Sequence, residues 1–339
     1  MVKIRCAALV LAAALLAGCS SADVLPASLS QDEASALEFN TQESFVIGTV
    51  QHGPADEPQY AEDGVTPLPL EYDGGMLTIP YKAYVDGRSG NIGFFVFWDG
   101  VPVAYDVGEG TRTACFHTFT QEEGQENLEF SIRFTPTGNA GETHTITFAS
   151  IYNPDYKPDM ESSSGYGAYH NMICCSRSVY LSAAPGEPAP VDATSPAVHD
   201  FTVTQEELTH RFIEEDLAVL YGCEGLTMEA LDETVRFAEL IDGEIVFDRY
   251  AMTENTAEID FCLCGTDGKE YAVTFFLDHQ PAFETQRLTL KKGMVTRLYV
   301  SVDPAELDHS ATSYFIAVPL DPDGAQNTEK SASILLYQQ

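Results

Sequence analysis

The sequence predicts an all-β chain built as two sandwiches in tandem, and three features carry that expectation. Short apolar or alternating runs are punctuated by Asp-Gly pairs, a proline-rich break divides the chain near its middle, and the two halves repeat each other. At 339 residues the chain exceeds one typical core and suggests about two domains. Hydrophobic residues at 44% and aromatics at 11% are enough to fill those cores.

The elements follow in chain order. Lys3 and Arg5 precede an apolar run from Cys6 to Ala17 that ends in Leu16-Ala17-Gly18-Cys19. A positive start, a short apolar stretch and a small-residue exit describe a secretory signal, since a membrane span needs about 20 apolar residues. With Cys following the small-residue exit, Leu16-Ala17-Gly18-Cys19 resembles the lipobox of bacterial lipoproteins. The resemblance implies cleavage before Cys19, thioether lipidation of Cys19, and a protein of the bacterial cell envelope tethered outside the cytoplasm. Residues 1–18 are then the signal peptide. Residues 19–39, rich in Ser, Ala, Asp and Glu, form a tether whose membrane partner is reached through the N-terminal lipid.

Residues 40–183 form the first predicted domain and residues 200–339 the second. Between them, residues 184–199 contain Pro185, Pro188, Pro190 and Pro196, which deny backbone donors and favour an extended, semi-rigid spacer. The repeat joins the two domains. Phe95 to Val103 aligns with Thr274 to Ala282, and without a gap Ala83 and Val85 face Cys262 and Cys264. Phe130 to Pro136 matches Leu298 to Pro304, and the same register pairs Ala149 with Ala317; Tyr72-Asp73-Gly74 resembles Ile241-Asp242-Gly243. Shared order and spacing read as a diverged tandem duplication. Phe130, Ile132 and Phe134 alternate with polar residues, as do Leu298, Val300 and Val302, the period of half-buried strands. Phe94 to Trp98 and Val273 to Leu277 are mostly apolar, as in central strands, and Asp-Gly pairs mark the turns. Units of this length with about seven strands match immunoglobulin-like β-sandwiches. One or two short helices are expected to open the second domain: Thr204 to Leu220, with Thr204 and Glu207 as a capping box, and Thr227 to Leu240.

The chemistry is sparse. The formal charge of −35 rises to −37 once Lys3 and Arg5 leave with the signal, and it is spread over both domains, which disfavours nucleic acid as a partner. Nucleophile elbows, phosphate loops, metalloprotease helices and calcium loops are missing from the sequence, so neither a catalytic residue nor a cofactor or metal site is assigned. Beyond Cys6 and Cys19, each domain holds three cysteines, compatible with buried thiols, one disulfide each, or a thiolate metal site. Cys262 and Cys264, two apart on a strand, share a face. Asn153-Pro154-Asp155 reads as a turn, and His279 stands where the first domain has Gly100. The candidate binding surface is the Tyr/Ser/Gly-rich segment Tyr152 to His170, where Tyr152, Tyr156, Tyr166, Tyr169 and His170 are placed to grip a glycan or another envelope protein. A second candidate is the basic stretch Arg287 to Arg297. The expected function is a non-catalytic binding or structural interaction module. The alternative is an envelope hydrolase acting on glycan or peptide through loop carboxylates.

Overall fold

The computed structural model describes residues 49–338 except for 87–90, 122–124, 126, 158–169, 192, 223–225, 254–255 and 322–326. In the first half the strands are β1 (Thr49–Pro54), β2 (Leu70–Tyr72), β3 (Leu77–Asp86), β4 (Asn91–Trp98), β5 (Val101–Pro102), β6 (Phe116–Thr120), β7 (Asn127–Phe134), β8 (Thr143–Tyr152) and β9 (Met172–Leu181). They form two sheets, β1-β3-β7 and β2-β9-β8-β4, with β5 and β6 both against β4. The first, third and seventh strands share one sheet while the last two join the central pair in the other. That division is the immunoglobulin-like one.

The second half opens with β10 (Val198–Glu207), and then Thr209 caps a helix. His210–Phe212, Ile213–Leu217 and Ala218–Tyr221 run on as one helical stretch, α1, with a wide turn in its middle, and Met228–Leu231 is α2. There follow β11 (Arg236–Ile241), β12 (Glu244–Ile245), β13 (Arg249–Met252), β14 (Ala257–Cys264), β15 (Glu270–Leu277), β16 (Gln280–Pro281), β17 (Gln286–Thr289), β18 (Met294–Val302), β19 (Ser310–Pro319), β20 (Glu329–Lys330) and β21 (Ile334–Gln338). The sheets are β10-β18-β14-β11-β12 and β13-β21-β19-β15-β16, with β17 on β15 and β20 on β19. The parallel pair β2/β9 recurs as β13/β21. Both halves are therefore immunoglobulin-like sandwiches. The expected helix from Thr204 is corrected: residues 204–207 belong to β10, because Val203 and its neighbours pair along β18, and the cap is Thr209.

The ladders test the repeat residue by residue. Tyr81 pairs with Phe130, and Phe261 with Leu298; Phe95 pairs with Ala149, and Thr274 with Ile316. The expected matches hold for β4/β15 and β7/β18. They slip by one elsewhere: Ala83 corresponds to Leu263, and Ala149 to Ile316. Since a one-residue slip exchanges faces, Cys262 and Cys264 are counterparts of the outward Lys82 and Tyr84, not of core residues. Nor are Tyr72 to Gly74 and Ile241 to Gly243 equivalent, since Tyr72 ends β2 beside β9 whereas Ile241 ends β11 beside β14.

Each sandwich has its own core. Tyr81, Phe94, Ile132 and Phe148 meet in the first, and Phe261, Phe275, Leu298 and Phe315 in the second. A third cluster lies outside the second sandwich, where α1 lays Phe212, Ile213 and Leu217 over Leu240, Cys262, Cys264 and Val295. The matching outer face of the first sandwich carries Lys82 and Tyr84 in solvent.

A fourth cluster joins the two halves. Phe95, Phe97, Ala149 and Ile151 of β4 and β8 pack on Phe276, Tyr314, Ile316 and Val318 of β15 and β19. Phe97 and Phe276 are equivalent residues, and their rings meet edge to face at 6.4 Å, which places a pseudo-two-fold axis between them. The same exchange relates the tips of two turns. Gly100, with φ +79°, lies so close to the second sandwich that a Cβ there would stand 2.4 Å from Ala272 Cβ, while its counterpart His279, φ +63°, reaches Pro154 in the first. With the meeting of Phe97 and Phe276, these two crossings resemble the isologous interface of a symmetric dimer, here built within one chain. Replacing Phe276 with Ala should cost about 3–5 kcal/mol, as for a fully buried Phe in a core, measured by urea unfolding. A loss below about 1 kcal/mol would show that the interface is not packed as described.

Candidate functional site

The segment proposed from sequence starts at the end of β8. Tyr152 is half-buried and packs on the first core, so it is not a free contact. Asn153-Pro154-Asp155 is a turn: Tyr156 N donates to Asn153 O at 2.8 Å, Asn153 takes φ +43°, and the Asp155 carboxylate accepts from Asn91 Nδ2. Tyr156 remains half-exposed. His170 is fully buried and donates from Nε2 to Tyr156 O at 3.0 Å. It is therefore a fastening of the loop base and not an open ligand contact. Tyr166 and Tyr169 lie outside the described residues.

What the structure adds is the second sandwich's share of this region. His279 donates from Nε2 to Pro154 O at 2.8 Å and accepts at Nδ1 from Tyr314 Oη at 2.8 Å. Its ring stacks on Phe116 at 4.7 Å and lies 5.6 Å from that of His170. Phe116 can lie there because residue 93 is glycine: a Cβ would fall inside the Phe116 ring, 1.9 Å from Cζ. Lys157 Nζ reaches Ser310 Oγ at 3.1 Å. Sequence reading placed His279 in a tight turn, which is correct. Its second role rests on a face-to-face packing that no local pattern reports.

Burial sets the protonation of this cluster. It pushes His170 down to about 3, assisted by the Lys330 charge, and lowers His279. Lys330 itself is desolvated and held at about 7, and its Nζ sits 4.4 Å from the Tyr314 ring centroid and donates to Ser331 O and Ser333 Oγ. Glu239, buried on β11, is raised to about 7 by desolvation. A polar path thus runs from Lys330 over Tyr314 and His279 to Pro154 O, crossing from one sandwich to the other.

A smaller cluster bridges β1 and the start of β9 in the first sandwich. His52 donates from Nε2 to Ile173 O at 3.1 Å, and its Nδ1 lies 2.6 Å from Tyr81 Oη and 3.9 Å from Cys175 Sγ. Burial lowers His52 to about 4 and raises the Cys175 thiol. The pair is held neutral, opposite to the thiolate–imidazolium pairing of an activated nucleophile. Cys115, Cys174, Cys175, Cys262 and Cys264 are free thiols, and Cys223 lies outside the described residues. Among the described residues no group of three His, Cys, Asp or Glu could hold a metal ion. Three cations of the basic stretch have partners: Arg287 donates to Asp99 O, Lys292 pairs with Asp232 at 2.7 Å, and Arg297 lies under the Phe212 ring, paired with Asp260.

Comparison with known proteins adds little to these geometries. No family model and no curated protein matches the chain. Among solved structures, a protein of unknown function from Porphyromonas gingivalis W83 aligns at 10% identity over 85% of this chain and 99% of its own, with a TM-score of 0.21. The tandem Ig repeats of Dlar align at 10% identity over 80% and 95%, TM-score 0.19. A chaperone–tip adhesion subunit complex of Acinetobacter baumannii Csu pili aligns at 7% over 80% and 96%, TM-score 0.18. Scores this low carry no argument, and the fold assignment rests on strand order and pairing.

The buried histidines fix a direction for pH dependence. A histidine held below its ordinary value takes its proton later in the folded than in the unfolded chain. Its stabilisation is therefore present above about pH 6.5 and lost as pH falls towards the folded value. Glu239 works the other way between about 7 and its ordinary 4.5. His170→Asn should make the fall in unfolding free energy between pH 6.5 and 4 shallower by about 1.4 kcal/mol per pH unit, the contribution of one proton. Urea titrations at several pH values check this, and parallel curves would contradict the burial of a neutral His170.

Proposed function

We propose that the chain is a non-catalytic binding or structural interaction module, held outside the bacterial cytoplasm by a lipid on Cys19. The observation that supports the first part is the fusion of two sandwiches across a pseudo-two-fold interface. It joins the two halves into one packed scaffold, and binding residues are characteristically carried on loops of such a scaffold. The Tyr152 to His170 segment is rooted at that interface, with Tyr156 half-exposed, and its partners would be a glycan or another envelope protein. For the anchor the support is the Leu16-Ala17-Gly18-Cys19 sequence, and several acyl chains on one terminus hold a protein at a bilayer where one chain would not. The evenly acidic body keeps the chain off anionic surfaces, leaving the lipid as the attachment.

The anchor is tested by fractionating cells that produce the wild type and Cys19→Ala. The wild type should partition into detergent and run shorter than its precursor. The variant should remain unprocessed or appear in the aqueous phase. Identical partitioning and processing of the two would refute the anchor. For the loop, deletion of residues 161–167 should weaken capture of an envelope glycan or protein at unchanged melting temperature; a lower melting temperature would mark it as structural.

A further inference from the structure

The last strand of the first sandwich, β9, pairs with β8 along its length, but on its other side β2 reaches only Val179 to Leu181. Leu181 exchanges its backbone bonds with the β8 side, donating to Glu142 O at 2.9 Å and accepting from Gly141 N at 2.7 Å. Alternation along an antiparallel pair then turns the N–H and C=O groups of Cys174, Ser176 and Ser178 towards the opposite, open side. No other described strand pairs with β9. A run of unmatched backbone donors and acceptors is a template for another strand.

Space lies along this edge. One depression of about 590 Å³ is bounded by residues 56–59 and 68–71 with Arg177 and Tyr180. An adjoining one of about 440 Å³ runs past residues 174–178 to Pro319 and Thr328 of the second sandwich. Arg177 borders both, so the two form one trough beside the open edge. The charge along its first half is lopsided: Asp56, Glu57 and Glu71 face a single arginine, and no described cation pairs with these carboxylates. Tyr180, 37% exposed, and Leu68, 42% exposed, give it apolar floor.

We infer that the open edge of β9, residues 174–178, takes an extended, net-basic segment of a partner polypeptide as an added strand. Backbone bonds to Cys174, Ser176 and Ser178 supply affinity and the acidic trough selects charge, the division of labour of strand addition. A second copy of this chain is disfavoured as the occupant by its own charge of −35. The inference does not draw on the Tyr152 to His170 segment and stands with or without the lipid on Cys19.

The test uses the full chain and three fluorescent octapeptides: alternating Lys and Val, alternating Glu and Val, and the Lys/Val peptide with N-methyl groups on alternate backbone amides. The Lys/Val peptide should bind, weaken with salt, and protect the Ser176 and Ser178 amides from hydrogen exchange. The Glu/Val and N-methylated peptides should bind at least tenfold more weakly. Ser178→Pro, which removes an N–H that faces away from β8, should leave the melting temperature unchanged and weaken the Lys/Val peptide at least tenfold. Absence of binding, equal binding of the N-methylated peptide, protection elsewhere, or pairing of two chains through β9 would overturn the inference. If Ser178→Pro lowers the melting temperature, the N-methylated peptide on the wild type still decides. Failure here would leave Cys19-dependent partitioning untouched.

Discussion

The contact between Phe97 and Phe276 is the constraint on which the rest of the molecule depends. Because the two residues are equivalent in the repeat, their meeting means that each sandwich offers the same sheet face to the other, as two subunits of a symmetric dimer would. That choice explains why β4, β8, β15 and β19 are apolar on both faces and not alternately apolar and polar. One face fills a sandwich core, and the other fills the seam. It also explains the unlike turn tips. Gly100 is pressed against Ala272 with no room for a side chain, whereas the matching site in the first sandwich is roomier and takes the imidazole of His279.

Away from the seam the two copies have diverged in a way that follows from what covers them. The second sandwich gained β10 beside β18 and the helix α1 over its outer face, so Cys262, Cys264 and Val295 are buried there. The first sandwich has no such cover among the described residues, and the equivalent positions of β3 hold Lys82 and Tyr84. Hence the thiols act as small hydrophobes beneath the helix, at positions where the first sandwich carries Lys82 and Tyr84. The desolvated Lys330 and Glu239 sit in the second sandwich, and Lys330 lies within electrostatic reach of the seam histidines.

Much of this fold was legible in the sequence. Asp-Gly turns, alternating strands and the repeat gave two immunoglobulin-like sandwiches, and the matches through β4 and β7 hold. The slips at Ala83 and Ala149 arose because one residue gained or lost in a turn leaves a strand's composition intact while exchanging its faces. Residues 204–207 read as helix because Thr204 and Glu207 satisfy a capping pattern, and edge pairing with β18 overrode it. The seam was not legible: Phe94 to Trp98 and Val273 to Leu277 read as central strands, and only the packing shows that their second apolar face covers the other sandwich. The site was less legible. Composition singles out Tyr156 and His170 as candidates, yet the burial of His170 and its approach to His279 follow only from the packing of one sandwich on the other.

The functional reading therefore turns on whether the chain is one rigid body or two domains on a spacer. Differential scanning calorimetry of the full chain decides this most directly. The account predicts a single transition whose calorimetric and van't Hoff enthalpies agree, because neither sandwich can keep its apolar seam face once the other has unfolded. Two resolved transitions, or a calorimetric enthalpy about twice the van't Hoff value, would contradict it.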